Sequence, residues 1–464
     1  MSILLLVLLV YVGLQLALGV WVSRRVASQQ DYLLGGRTLG LGLCTASMFA
    51  TWFGAETCIG AAGEVYRHGL GAVSADPFGY GVCLILFGLF IAGELRTRGY
   101  VTLADLFGDR FSPTVERVVA LLLLPGSVLW AAAQIRAFGH VFAAASPGLD
   151  PMLGIAYAAG IIILYTTFGG LLADVYSDLL QGIVLVVTLL ALALIVCLGV
   201  GSLGDVLAQA SAGVEAVEHA EAGNPLGTLN DWAVPIAGSL FTQEIISRAV
   251  ASKTATVARR GALVAGAVYL VLGTIPVLLG LIARVVLPPT EAIEQVLPLL
   301  SRHVLGELGF VIFAGTLVSA ILSTVDSALL AGGALIVQNV VGERAQRLSD
   351  SARLRLTRAC VVGLGVLAFV VATFGASVHE LVQESSALGS AGLFVAGLLG
   401  LFTRFGGARA ALASLSIGGG TYIYAQHVLE SDVAYLSSIG GAALGYAVGA
   451  LGDARSRAAY KAPS

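Results

Sequence analysis

The chain has 464 residues, 57% of them hydrophobic and only 11% charged, and its formal net charge is −3. Apolar runs repeatedly exceed about 18 residues, the length that signals a membrane-spanning helix, whereas the longest polar stretches, about 202–230 and 284–304, are loop-sized and leave no room for a soluble domain. Cys44, Cys58, Cys83, Cys197 and Cys360 each fall singly in apolar runs, the histidines are scattered and no glycine-rich phosphate loop is present, so disulfides, a zinc site, a soluble enzyme centre, an organic cofactor and a nucleic-acid partner all lack support.

In chain order the apolar runs predict thirteen spans, at 2–22, 39–66, 72–96, 113–145, 150–168, 170–200, 231–250, 256–286, 305–341, 357–376, 378–402, 408–426 and 433–452. The first lacks a basic leader and a small-residue cleavage pattern and is followed by Arg24 and Arg25, so it reads as a retained helix with its N-terminus outside. On this count every Lys and Arg except Arg67, Arg136, Arg284 and Arg302 falls in loops or helix ends on one face, and the positive-inside rule makes that face cytoplasmic, C-terminus included. The loop at 202–230 on the other face carries Asp205, Glu215, Glu218 and Glu221. A plasma membrane, the inner one of a bacterium, is the expected location.

Setting aside 2–22 and the last two helices, 408–452, a single transmembrane domain over 1–464 divides into halves of five helices, 39–200 and 231–402. An odd number per half forces the second to enter with opposite orientation, the pattern of inverted-repeat transporters whose site lies between broken helices at the midplane. The first helix of each half is a candidate for such a break. Ala50-Thr-Trp-Phe-Gly-Ala-Glu56 interrupts one with a glycine and a charge, and Pro235 and Gly238 interrupt the other before Thr242 and Glu244. Carbonyls freed there can coordinate a cation, although Gly and Pro in membrane helices also serve close packing.

The span at 305–341 carries Thr316, Ser319, Ser323, Thr324, Asp326 and Ser327 in mid-membrane. At about 100° per residue Thr316, Ala320, Ser323, Thr324 and Ser327 share one face, with Ser319 and Asp326 on its flank. Such a ladder of oxygens suits a small hard cation, and a carboxyl at this depth points to an ion path or a coupling proton. Trp52, Tyr80 and Trp130 lie near the middle of their spans rather than at the interfaces, where they either box an organic cation or fill the bundle core. Glu56 and Glu244 would favour a cationic solute if they face a shared cavity, unless each is neutral or paired.

The stretches Asp31-Tyr-Leu-Leu-Gly-Gly-Arg-Thr-Leu-Gly40, Thr167-Phe-Gly-Gly-Leu-Leu-Ala-Asp-Val-Tyr-Ser-Asp-Leu-Leu-Gln181 and Ser323-Thr324 resemble the sodium/solute symporter family, which has the five-plus-five fold of the leucine transporter. The likeness covers nearly the whole chain. Ala50-Thr-Trp-Phe-Gly54, Gly63-Glu-Val-Tyr66, Arg98-Gly-Tyr-Val-Thr102 and Trp130-Ala-Ala-Ala133 resemble its high-affinity choline transporter branch most. The resemblance implies a sodium site at the carbonyls of Ala50, Phe53 and Ala320 and the hydroxyls of Ser323 and Thr324. It also implies a second sodium at Asp178 with Ser319 and Ser323, where the rival reading is an aspartate paired with an arginine or a helix terminus near the interface. Aromatic residues at the positions of Trp52, Tyr80 and Trp130 surround the substrate in the choline branch. Thr242 stands where that branch has a further tryptophan, and Glu56, Thr57, Asp76 and Glu244 also depart from it, which argues against a closed choline cage.

The expectation is an all-α membrane protein importing a small polar organic solute with sodium, the solute an amine or quaternary ammonium compound contacted by Trp52, Glu56, Tyr80, Trp130, Thr242 and Glu244. A proton-coupled transporter of the same fold, with Glu56, Asp178, Glu244 or Asp326 as carrier, and a non-transporting sensor or partner subunit are the alternatives. Membrane lipid is the surrounding partner, and the sequence leaves the oligomeric state open.

Overall fold

The first long apolar run does not form one helix. In the computed structural model, Leu41–Trp52 (α1) ends where Phe53 leaves the helical region at φ −80°, ψ 69°, and Ala61–His68 (α2) resumes after a wide turn at Glu56–Gly60. Then come Phe78–Arg98 (α3), Pro113–Ala145 (α4), Pro151–Gly199 (α5), Pro225–Ala233 (α6), Gln243–Ala251 (α7), Ala255–Val286 (α8), Val296–Leu335 (α9), Asp350–Ala372 (α10), Val378–Phe402 (α11), Ala408–His427 (α12) and Ala434–Lys461 (α13). The structure describes residues 28–461 except 55, 70–74, 76, 146–147, 149, 201, 213–224 and 375–376, with a few isolated positions before 28. Most of the expected span 2–22, together with Asp76, Glu215, Glu218 and Glu221, therefore lies outside the described residues.

Among the described residues no strand forms, and the extended pairing is a parallel bridge between Leu39 and Ser252. There Leu39 N donates to Ala251 O at 3.2 Å and Lys253 N to Leu39 O at 2.9 Å, while Arg96 Nε donates to Ser252 O at 2.5 Å. Eight described helices are long and apolar enough to cross a membrane, and Leu41–Trp52 and Met152–Thr167 are shorter apolar helices, so length and hydropathy account for fewer spans than the thirteen expected.

The second expected interruption is also present. α6 runs into a widened turn at Val234–Gly238 that contains Pro235, and helical geometry is regained only at α7, whose N-cap Thr242 is extended. Proline removes one helical donor, and a wide turn absorbs the mismatch. The expected boundary between 150–168 and 170–200 falls on Gly170, at φ 69°, ψ 172°, a conformation open to glycine but not to residues with a Cβ.

Every residue of α9 from Phe313 to Leu335 is buried, so its hydroxyls and Asp326 face protein on all sides. Exposed side chains on the second arm of α5 include Ile183, Val187, Leu190, Leu194 and Leu198, an apolar stripe at helical spacing that suits lipid contact. Arg248 corrects one expectation: counted with the cytoplasmic basic residues, it is instead 1% exposed inside the bundle.

Candidate functional site

The break after Trp52 leaves the last carbonyls of α1 without helical donors, and in a bilayer each must be satisfied internally. Trp52 O accepts from Tyr269 Oη at 3.1 Å and from Gly54 N at 2.9 Å. Ala50 O receives Thr324 Oγ1 at 3.3 Å, and the same hydroxyl lies 3.0 Å from Ala320 O on its own helix. Three of the expected sodium-ligand residues, Ala50, Ala320 and Thr324, thus meet where the first break touches α9. Gly54 permits that approach, since a Cβ there would lie 2.6 Å from Thr324 Oγ1. Phe53, the next residue expected to contribute a carbonyl, caps α1, and its ring stacks on Phe49 at 4.7 Å between centroids.

Ser323 turns to a neighbouring group. Its hydroxyl donates to Asp178 Oδ1, and Ser47 on α1 donates to Asp178 Oδ2. One turn away on α9, the buried Ser319 Oγ has no hydrogen-bond partner among the described residues. Asp178 also has an arginine, Arg248 of α7, with its guanidinium nitrogen 3.8 Å from Oδ2, but that nitrogen lies only 2.5 Å from Asp174 Oδ2. Arg248 further donates from Nε to Ser47 Oγ at 3.2 Å and from a terminal nitrogen to Ser327 Oγ. Asp178 thus has both hydroxyls and an arginine beside it.

Asp326 is held by Thr166 Oγ1 and makes no ion pair with Arg248 among the described residues. No described group of three or more His, Cys, Asp or Glu side chains is placed to hold a metal ion. What the break offers is carbonyl and hydroxyl oxygens with Asp178 beside them, a donor set of the kind that suits a hard cation.

A cavity adjoins these oxygens on the same break. Trp52, Trp130, Phe241, Thr242 and Glu244 line it, with Ser385 and Ser386 from α11, and its free volume is about 40 Å³. That is the room of one or two waters, so an organic solute needs these side chains to part. Glu244 sits in the first turn of α7, where the helix dipole favours an anion, and accepts from Ser127 Oγ at 2.8 Å. Trp130 Nε1 is buried with no hydrogen-bond partner. Tyr80 stands behind the lining, 5.4 Å from Trp52 and 6.1 Å from Trp130 between ring centroids, and bonds Ser386 Oγ at 3.2 Å. Glu56 does not line this cavity: its Oε1 lies 3.1 Å from His379 Nδ1, and its Oε2 has no partner.

The residues missed from sequence are Arg248, Asp174, Ser47, Ser127 and His379. Two signals were available: Asp174 precedes Asp178 by four residues, hence on the same helix face, and Arg248 ends an apolar span. The contacts themselves join residues far apart in the chain, such as Asp174 and Arg248, separated by 74 positions.

An all-helical integral membrane protein with two interrupted helices meeting a buried hydroxyl-bearing third belongs by design to the secondary transporters. The chain is a member of the Sodium:solute symporter family, whose model matches residues 32–418. Its curated relatives are transporters rather than enzymes. It is 27% identical to the High affinity choline transporter 1 of Homo sapiens over 468 residues, covering 92% of this chain and 78% of the relative. With the Drosophila melanogaster High-affinity choline transporter 1 identity is 28% over 392 residues, 79% of this chain and 61% of the relative's length. The Sodium/pantothenate symporter of Escherichia coli (strain K12) is 25% identical over 412 residues, 84% of this chain and 83% of the relative. Among solved structures the chain resembles a Na+-coupled sialic acid symporter in a substrate-bound outward-open state, with TM-score 0.80 and 16% identity over 97% of this chain and 98% of that one. It also resembles Mhp1, a nucleobase-cation-symport-1 family transporter in a closed conformation, with TM-score 0.63 and 15% identity over 91% of this chain and 94% of that one. These likenesses establish the leucine-transporter-type fold.

Proposed function

We propose that the chain is a sodium-coupled symporter of the plasma membrane that imports a small polar organic cation, an amine or quaternary ammonium compound, by alternating access. The observation that carries this reading is the meeting of Ala50 O, Ala320 O and Thr324 Oγ1 at the break beside Gly54. Sodium is held there, with Phe53 O and Ser323 Oγ completing the set. A second sodium sits at Asp178 with Ser323 and Ser319, whose unpartnered hydroxyl supports the assignment. The halves 39–200 and 231–402 form the inverted repeat, each opened by an interrupted helix, within thirteen spans that begin outside and end in the cytoplasm.

Coupling follows from shared backbone. Ala50 and Trp52 are two residues apart, so the ion that orders the carbonyls of this stretch also fixes the Trp52 ring lining the solute cavity. Glu244 supplies negative charge to the solute, the faces of Trp52 and Trp130 attract a cation, and Trp130 Nε1 offers a donor to an oxygen on it. At a membrane potential of 100 mV each positive charge moved inward contributes about 2.3 kcal/mol. The test is uptake of amines, quaternary ammonium compounds, amino acids, sugars and carboxylates into proteoliposomes with and without a sodium gradient. Sodium-dependent uptake of a cation is expected. Uptake driven equally well by acid pH in sodium-free buffer would replace sodium by protons, and uptake restricted to anions would remove the assigned role of Glu244.

A further inference from the structure

Two aspartates one turn apart on a buried helix repel each other, yet a single arginine faces both Asp174 and Asp178. Its guanidinium nitrogen is 2.5 Å from Asp174 Oδ2 and 3.8 Å from Asp178 Oδ2. Arg248 is thus committed to Asp174, which also receives Ser327 Oγ at 3.1 Å on the same oxygen. Asp178 is left with neutral donors, Ser47 and Ser323, beside the unpartnered Ser319 hydroxyl. An anion surrounded by hydroxyls holds a cation, whereas one neutralised by a guanidinium does not. Asp326, the remaining carboxyl nearby, is occupied by Thr166 and makes no ion pair with Arg248 among the described residues.

We propose that Asp174 is a positioning residue that keeps Arg248 off Asp178 and thereby sets how many sodium ions the protein binds. This rests on the assignment of a second sodium to Asp178. Without the Asp174 charge, Asp178 is the carboxylate left within 4 Å of the guanidinium among the described residues, and closing the remaining gap takes only a side-chain rotation, because Ser47 already links Arg248 Nε to that carboxylate. The arginine then occupies the place of the ion, and the site formed by Ala50, Ala320 and Thr324 is left to bind sodium alone.

The experiment counts radioactive sodium ions bound per molecule of purified full-length protein, without solute, in the wild type, D178N, D174N and D174N/R248Q. The expected counts are two for the wild type, one for D178N, one for D174N and two again for D174N/R248Q, where the competing guanidinium is gone. A D174N protein that binds two ions overturns the proposal while leaving the second site intact, and so does a double variant that binds one. A D174N protein that fails to fold while the double variant folds also overturns it, since Arg248 would then have been stranded rather than taken up by Asp178. A wild type that binds one ion, unchanged in D178N, overturns the second-site assignment itself and the proposal with it.

Discussion

Thr324 is central to the proposed first sodium site, because its hydroxyl lies between the carbonyls of two helices, Ala50 O on α1 and Ala320 O on α9. Replacing Ser323 and Thr324 together by Ala removes two oxygen ligands of a charged ion, at about 3 kcal/mol in total. The half-saturating sodium concentration for uptake should then rise about a hundredfold. Sodium titration of uptake checks this, and an unchanged midpoint would remove the site. Glu244→Gln keeps the shape and the bond from Ser127 while deleting the charge, so affinity for a cationic solute should fall roughly tenfold to a hundredfold with sodium binding unaltered. Equal loss for neutral and cationic solutes would place Glu244 in a structural role. Ser323 and Thr324 were legible in the sequence because helical periodicity alone puts them on one face with Ala320. Arg248 and Asp174 were not, since an ion pair between separate helices leaves no spacing to read, and Arg248 stands where a loop charge is also plausible by composition.

At the scale of elements, both interruptions could be read from residues that a continuous helix disfavours: Gly54 and Glu56 in one, Pro235 and Gly238 in the other. What could not be read is which carbonyls the breaks free and what satisfies them. Tyr269, far along the chain, caps Trp52 O, and no local pattern announces it. Wide turns also occur at Phe87–Ile91, which contains Gly88, and at Ile336–Val341, which is capped by Gly342. Gly54 gives the sharpest test of an element contact. Gly54→Ala should push α1 from α9, because the new methyl would sit 2.6 Å from Thr324 Oγ1. Overpacking of this kind costs about 1–3 kcal/mol. The expected outcome is weakened sodium binding with folded protein still recoverable, read by sodium-dependent thermal stabilisation. Wild-type stabilisation would mean that the two helices are not in contact during ion binding.

The proposed orientation of the whole molecule rests on its basic residues and can be tested by access. Glu380→Cys and Arg344→Cys each replace an exposed side chain, one in the expected outer face and one in the inner. In a background without native cysteines, an impermeant thiol reagent added to intact cells should label the first and spare the second, and the opposite pattern would invert the topology. The number of spans was only partly legible. Hydropathy counts runs, but α1 and the first arm of α5 are too short to register as spans by length.

The bridge at Leu39 and Ser252 joins the lead-in of one interrupted helix to the exit of the other. These two arms are therefore two leaves of a door hung on a common bolt, made of backbone that substitutions other than proline leave in place. To open toward the cytoplasm, both leaves must swing on the same stroke or the bolt must be drawn first. Leu39→Pro draws it by deleting the donor to Ala251 O. Its signature would be slippage, with sodium passing inward in proteoliposomes that hold no solute, whereas tight coupling in that variant would show that the leaves keep time by other means.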